Sequence, residues 1–128
     1  MIVDTSALCA IVFKEPERGE YLRTLLTDDR HFMSAVNAYE AGMVVESRLG
    51  EKGTRELADL MATTGIDVVA FDAGMAQVAL DAWRRFGKGR HPASLNFADC
   101  AAYALAKVTR QPLLSKGGDF NQTDIVTV

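Results

Sequence analysis

Four acidic residues stand where a carboxylate could do chemistry rather than only solvate the chain. Asp4 follows a short apolar run, Glu40 and Asp99 lie among apolar residues in helical patterns, and Asp119 follows two glycines. Clustered carboxylates repel one another unless a hard cation such as Mg²⁺ or Mn²⁺ neutralises them. Such a cation polarises a phosphodiester and activates a bound water. These acids therefore predict a metal-dependent hydrolytic site, provided that the fold brings them together.

Each of these acids also has a purely structural interpretation. Asp4 could cap the helix that follows it, and Asp99 could form a capping box with Asn96. Glu40 could lie at the solvent-exposed edge of its helix, and Asp119 could be an ordinary turn residue beside a glycine. Both kinds of interpretation stay open at the level of the sequence.

Other catalytic chemistries lack their sequence patterns. His31 and His91 are isolated, no His/Cys set has the spacing of a zinc site, and neither a G-x-S-x-G elbow nor a Walker loop occurs. Cys9 and Cys100 are far apart in the sequence, and each lies in an apolar helical pattern. We therefore expect both thiols to be reduced core residues.

The predicted strands and helices alternate along the chain, a pattern typical of a parallel sheet covered by helices on both faces. We predict one α/β domain over residues 1–128, with three layers (α/β/α) and a mostly parallel central sheet. Asp4 would then end a strand at the sheet edge where open α/β folds bind ligands, and Asp119 would lie at the same edge. The predicted strands are 1–4, 31–34, 66–71, 112–115 and 125–128, and the predicted helices are 6–13, one opening at Pro16, 35–49, 55–64 after a break at Gly53, 72–86 and 96–109.

The helix predicted at 35–49 decides how Glu40 is placed. Its apolar residues have helical spacing, and we expect that stripe, with Glu40 on it, to face the core. An unpaired carboxylate is costly to bury, so Glu40 would need a cation, a basic partner or a shared proton. The residues expected to face the core are Val36, Tyr39, Met43 and Val44.

The charge distribution bears on possible partners. The net charge of −3 argues against a protein that coats nucleic acid, because such proteins are usually basic. No apolar run approaches the roughly 20 residues needed to cross a bilayer, and the N-terminus lacks a signal-peptide pattern. We therefore expect a cytoplasmic protein without membrane association. The one dense basic segment contains Arg84, Arg85, Lys88, Arg90 and His91.

Four segments of the chain together form a specific pattern: MIVDTSAL at the start, Asn37-Ala38-Tyr39-Glu40, LNFADCAAYALA at 95–106 and LLSKGGDFNQTDI at 113–125. These segments are similar to the PIN-domain family, and within it most similar to the VapC toxins. The resemblance implies an endoribonuclease that depends on Mg²⁺ or Mn²⁺, forms a homodimer and is inhibited by a small VapB-like antitoxin.

The resemblance also implies roles for individual residues. Three acids coordinate or orient the metal in that family, and they match Asp4, Glu40 and Asp99. A fourth acid follows the last core strand, and we assign it to Asp119, with Asp124 as the second choice. The polar residues that match positions expected to hydrogen-bond to metal ligands or to phosphate are Thr5, Ser6 and Asn96.

The basic segment is the natural place for RNA to bind an acidic protein. The loop 87–94 leads into the helix that carries Asp99, so we expect Lys88 and Arg90 to contact RNA. For Arg84 and Arg85 an RNA contact and a favourable position at the end of a helix are both open.

Two other functions compete with a nuclease. A phospho-accepting receiver domain of similar size could use Asp4, Asp72 as acceptor and Lys116. A receiver needs paired acids at the first strand end, however, and Thr5 follows Asp4 here. The second alternative is a PIN fold that serves only as a binding module, against which the intact set of acids argues.

Overall fold

A parallel sheet forms the centre of the molecule. The structure, a computed structural model, describes residues 1–27 and 29–128. Within them four parallel strands form one sheet in the order β3-β2-β1-β4, so β1 is a central strand. The predicted fifth strand at 125–128 is reduced to one bridge between Leu113 and Thr127. The strands are β1 (Ile2–Val3), β2 (His31–Ser34), β3 (Ile66–Val69) and β4 (Leu113–Leu114).

Helices cover both faces of the sheet, as predicted. The first three pack around one face and the last two around the other, which confirms the three-layer α/β/α fold. A 3₁₀ helix, Asp119–Gln122, follows β4. In the described part of the chain the α-helices are α1 (Thr5–Val12), α2 (Arg18–Leu25), α3 (Ala35–Thr63), α4 (Ala73–Phe86) and α5 (Phe97–Thr109). No helix in that part is long and apolar enough to span a bilayer.

Strands β1 and β4 are stable with only two residues each, because their side chains pack into the hydrophobic cores on both faces of the sheet. Successive side chains of a strand point to opposite faces of the sheet. Val3 and Leu114 accordingly join the core under α1–α3, whereas Ile2 and Leu113 join the core under α4 and α5. Strands β1 and β4 are therefore buried on both faces, and their carboxyl ends are held in a fixed place.

Cys9 and Cys100 are both buried free thiols, as predicted. Cys9 belongs to the first core and Cys100 to the second. Burial raises the pKa of each thiol to about 11, which keeps both protonated and unreactive.

The break in the long helix α3 lies at Gly50, not at Gly53 as predicted. Gly50 has φ 70° and ψ −169°, a conformation that only glycine adopts readily. Gly53 instead lies inside the second half of α3, where it is buried against Leu49 and Val45. Gly50 and Gly53 are only three residues apart, and the sequence alone does not show which of them bends the helix and which packs against its neighbours.

The stripe of α3 that faces the core differs in part from the prediction, although Val44 does pack against the first core. The buried residues of its first half are Asn37, Ala41 and Val45, whereas Tyr39 is 74% exposed and Met43 is 56% exposed. The prediction assumed that the apolar residues face inward. Asn37 reverses this because its polar side chain finds hydrogen-bond partners in the interior.

The packing of Gly53 leads to a prediction for stability. In Gly53→Ala the new Cβ would lie 2.5 Å from the Cβ of Leu49, so the two halves of α3 must shift. We expect unfolding by denaturant to show a loss of about 1–3 kcal/mol. Gly42→Ala, on the same helix with nothing within 4 Å of its Cβ, should instead gain about 0.5–1 kcal/mol. Equal effects of the two substitutions would contradict this packing.

Candidate active site

Asp4 lies at the carboxyl end of the central strand β1 and is only 4% exposed. It caps α1, as the structural interpretation proposed. Its Oδ2 accepts hydrogen bonds from the backbone N–H of Ser6 (3.0 Å) and from the Ser6 hydroxyl (2.6 Å), and its Oδ1 accepts one from Nδ2 of Asn37 (3.3 Å). The cap and the site are thus the same group, held in one orientation by three donors.

Burial raises the pKa of Asp4 to about 6 despite these donors. Loss of solvation is the largest cause, and the two hydrogen bonds from Ser6 offset only part of it. The carboxylates of Asp99 and Glu40 raise the pKa further. The negative charge of Asp4 is therefore poorly stabilised by the protein alone.

Asp99 forms the capping box that the sequence suggested. Its Oδ2 accepts from the N–H of Asn96 (2.9 Å), and the Asn96 side chain accepts from the N–H of Asp99 (2.9 Å). Burial raises the pKa of Asp99, and the charges of Asp119 and Glu40 add to this effect. Asp99 therefore both caps α5 and belongs to the acidic cluster.

The charge of Glu40 acts on both Asp4 and Asp99, but no hydrogen bond among the described residues holds its carboxylate in place. It is half-buried, at the edge of the core-facing stripe, which corrects the expectation that it faces the core. Its charge raises the pKa of both Asp4 and Asp99. In residues 1–27 and 29–128 no hydrogen bond or salt bridge to the Glu40 carboxylate is formed.

The structure separates the two candidates for a fourth acid. Asp119 begins the 3₁₀ helix after β4, at the same sheet edge as Asp4, and its charge raises the pKa of Asp99. Asp124 precedes the segment that pairs in parallel with the start of β4, so it lies toward the opposite edge. Asp119 therefore fits the predicted role and Asp124 does not.

Asp124 belongs instead to a surface ion pair. Its carboxylate accepts from Nζ of Lys107 (2.6 Å) and from the Tyr103 hydroxyl (2.7 Å), and Arg85 lies 3.5 Å away. Partial burial on its own would raise the pKa of Asp124, but these partners lower it to about 2. Arg85 therefore belongs to the same surface ion pair, and its contact with RNA stays a prediction.

The three polar residues named beside the acids all support the backbone around them. Ser6 holds Asp4, and its Oγ also accepts from the N–H of Lys116 (2.9 Å), which ties the segment after β4 to α1. The Thr5 hydroxyl donates to the carbonyl of Asn37 (3.1 Å). Asn96 caps α5. These hydrogen bonds position ligands; whether any of the three also contacts phosphate stays a prediction.

Asn37 is the residue that sequence reasoning missed. It is fully buried, and its Nδ2 lies within hydrogen-bond distance of Asp4 Oδ1 (3.3 Å), Thr5 Oγ1 (3.4 Å) and the carbonyl of Ala98 (3.1 Å). The available signal was a polar residue spaced four and eight positions before Ala41 and Val45. This signal is weak because the neighbouring stripe of α3 is more hydrophobic and therefore favours the inward position.

A hard divalent cation fits the chemistry of this cluster. All the candidate ligands are carboxylate oxygens, which Mg²⁺ and Mn²⁺ prefer, and two of them carry charge in a poorly solvated place. In the described residues no three His, Cys, Asp or Glu side chains are already gathered around one point. The anchored acids are Asp4 and Asp99, so Glu40 is the side chain free to adjust.

The basic loop after α4 is tied to that helix rather than disordered. Arg90 donates to the carbonyl of Arg84 (3.2 Å), and its guanidinium lies 4.7 Å from the Trp83 ring centroid. Lys88 is exposed, and its N–H pairs with the carbonyl of Leu95 next to the α5 cap. The loop therefore presents cations beside the start of the helix that carries Asp99.

Nearly the whole chain is similar to one family of proteins. Residues 1–126 match the family model described as PIN domain. The chain is 44% identical over 128 residues to ribonuclease VapC30 of Mycobacterium tuberculosis, covering 100% of this chain and 98% of the relative. It is 48% identical over 129 residues to ribonuclease VapC of Mycolicibacterium smegmatis, covering 100% and 99%.

Solved structures show the same fold at lower identity. VapC20 of M. tuberculosis, described as a sarcin-ricin loop cleaving toxin, superposes with a TM-score of 0.80 at 19% identity, over 99% of this chain and 97% of that one. VapBC2 of Rickettsia felis, bound to a DNA fragment from its promoter, gives a TM-score of 0.75 at 12% identity, over 98% and 94%. These matches agree in fold with the sheet and helices described above.

The raised pKa of Asp4 predicts how stability depends on pH without metal. The folded state holds a proton on Asp4 up to about pH 6, whereas the unfolded chain releases it near 3.8, so this contribution to stability is lost as pH rises from about 4 to 6. Relative to Asp4→Asn, the metal-free wild type should lose about 2–3 kcal/mol of unfolding free energy across that window.

Asp124→Asn provides the control of opposite sign. Because the pKa of Asp124 is lowered to about 2, its contribution is present above pH 4 and is lost as pH falls toward 2. Chemical denaturation in the presence of a chelator measures both differences. A wild-type minus Asp4→Asn difference that does not change between pH 4 and 7 would contradict the burial of a costly charge at Asp4.

Proposed function

The chain belongs to the PIN-domain family, and on that premise we propose that it is an endoribonuclease that acts as the toxin of a toxin–antitoxin pair. The observation that carries the proposal is the buried carboxylate of Asp4 at the end of β1, with Asp99 and Glu40 close enough to raise its pKa. Relatives at 44% and 48% identity over the whole chain are named ribonucleases, which supports the same activity here. We further propose that residues 1–128 form one catalytic domain in the cytoplasm.

We propose that Mg²⁺ or Mn²⁺ is held by Asp4, Asp99 and Glu40, with Asp119 as the fourth acid. When bound, the cation would supply an activated water and charge stabilisation at the phosphodiester. The chain's own residues prepare this: Ser6 fixes the orientation of Asp4, and the capping box fixes that of Asp99. Glu40, which has no such anchor, would complete the site.

Partners follow from the surface and from the relatives. Solved neighbours include a toxin–antitoxin complex from Klebsiella pneumoniae, which supports a VapB-like antitoxin for this chain. We also propose a homodimer, because helices α3–α5 expose several large apolar side chains, of which Leu80, Trp83 and Phe97 line one apolar groove. These exposed side chains are Tyr39, Met43, Leu80, Trp83 and Phe97.

A receiver domain does not fit the structure. Receivers of the flavodoxin type have the strand order 2-1-3-4-5, whereas this sheet has the order 3-2-1-4. Asp72 caps α4 by accepting from the N–H of Met75 (2.9 Å), and Lys116 pairs with Glu15 and Glu17. A PIN fold without catalysis stays the alternative to be tested.

The central prediction is metal-dependent cleavage of RNA. Incubation of the purified protein with total RNA should yield discrete 5′ and 3′ ends in Mg²⁺ or Mn²⁺ and none with excess chelator. Loss of a metal's outer-shell partner costs about 10–100-fold, so Asp4→Asn, Glu40→Gln and Asp99→Asn should each reduce cleavage at least about 100-fold.

Two further variants serve as a matched pair. Asp119→Asn should reduce cleavage, whereas Asp124→Asn should retain it per folded molecule while lowering thermal stability through the lost Lys107 and Tyr103 contacts. No cleavage by the wild type would favour the non-catalytic alternative, and cleavage that is insensitive to chelator, or equal in wild type and Asp4→Asn, would contradict the proposed metal site.

The basic loop predicts how RNA binding depends on salt. We expect Lys88→Ala/Arg90→Ala to weaken binding of single-stranded RNA, because these exposed cations lie beside the start of α5. Each lost phosphate contact should reduce the slope of log affinity against log salt by roughly 0.7. Fluorescence anisotropy with an uncleaved RNA measures the slope, and Lys52→Ala/Arg55→Ala on α3 removes the same charge elsewhere. Identical slopes for the two double variants would show that RNA binds away from the loop.

A further inference from the structure

Asn37 lies on one of the three elements that carry the proposed metal ligands and contacts the other two. It stands on α3, three residues before Glu40. Its Nδ2 lies 3.3 Å from Asp4 Oδ1 at the end of β1, and 3.1 Å from the carbonyl of Ala98, the residue before Asp99 on α5. One amide group thus spans the points from which the three acids project.

A second contact closes the connection between α3 and the start of α1. The Thr5 hydroxyl donates to the backbone carbonyl of Asn37 (3.1 Å), and Thr5 Oγ1 also lies 3.4 Å from Asn37 Nδ2. Asn37 and Thr5 therefore hold each other through both side chain and backbone, next to Asp4. All of these contacts are buried, so water does not compete for them.

The orientation of the Asn37 amide follows from its neighbours. Asp4 Oδ1 and the Ala98 carbonyl only accept hydrogen bonds, so the NH₂ group must face them. Asn37 Oδ1 is then left buried, without a hydrogen-bond partner among the described residues. An unpaired buried acceptor destabilises a fold, and an apolar side chain would serve better if packing were its only role.

We propose that Asn37 is a positioning residue of the metal site, which sets Asp4 against Asp99 and Glu40 through its amide N–H groups. The expected effect of Asn37 on metal binding rests on the proposed metal-dependent function, whereas the hydrogen bonds of Asn37 are independent of that function. Asn37 holds one oxygen of Asp4 while Ser6 holds the other, so the carboxylate cannot rotate. It also fixes the start of α5 relative to α3, and with it the separation of Asp99 from Glu40.

Asn37→Leu tests this role because leucine has a similar volume and removes both the donors and the unpaired acceptor. Val45→Ala, equally buried on the same face of α3, is the control for lost packing without loss of a contact to the acids. We expect Asn37→Leu to bind Mn²⁺ about 10–100-fold more weakly by calorimetry, at a temperature where metal-free thermal denaturation shows both variants to be folded. Val45→Ala should keep the wild-type Mn²⁺ affinity.

Amide hydrogen exchange on the metal-free protein provides a readout that does not need a bound metal. Asn37→Leu should exchange several-fold faster in peptides covering residues 3–9 and 95–103, where the contacts of Asn37 are lost, and Val45→Ala should not. Wild-type Mn²⁺ affinity in Asn37→Leu would overturn the proposal. If the wild type itself bound no Mn²⁺, the proposed function would fail, and unchanged exchange in Asn37→Leu would then refute the positioning as well.

Discussion

The burial of one carboxylate is the constraint on which the rest of this structure depends. Asp4 is removed from water at the end of a strand that is itself enclosed by two hydrophobic cores, and its charge is costly there. Ser6 and Asn37 donate to it, but loss of solvation outweighs the hydrogen bonds from Ser6 and raises its pKa, and the charges of Asp99 and Glu40 add to this effect. A proton on Asp4 or a cation beside it would remove this cost. This is the physical reason for which we propose a bound divalent metal at neutral pH.

The fold holds the acids together through very few residues. Two-residue strands β1 and β4 are anchored by side chains on both faces, so their carboxyl ends are rigid although the strands are short. The same polar groups that end strands and begin helices also hold the carboxylates: Asp4 caps α1 and Asp99 lies in the capping box of α5. The same hydrogen bonds therefore cap these helices and fix the positions of the carboxylates in the site. A substitution at a cap is expected to affect both.

The sequence was sufficient to predict the layers, the parallel sheet and the acids, because these depend on local patterns and on the resemblance of four segments to one family. It was insufficient where two similar residues compete for one role. Gly50 bends α3 and Gly53 packs inside it, although either glycine could do the first. Tyr39 and Met43 face outward while Asn37 faces inward, because a buried amide with partners is acceptable and a surface apolar residue costs little. Asp119 and Asp124 differ only in which sheet edge they reach, and this depends on long-range pairing that no local pattern encodes.

The most direct test of a shared metal site is anomalous diffraction from crystals of the protein grown with Mn²⁺. We expect an anomalous peak within ligand distance of carboxylate oxygens of both Asp4 and Asp99, with Glu40 drawn toward it, and no such peak in Asp4→Asn. A peak that lies elsewhere, for example at Glu15 and Glu17, or no peak at Asp4 in the wild type, would contradict the claim that these acids are assembled to hold a cation.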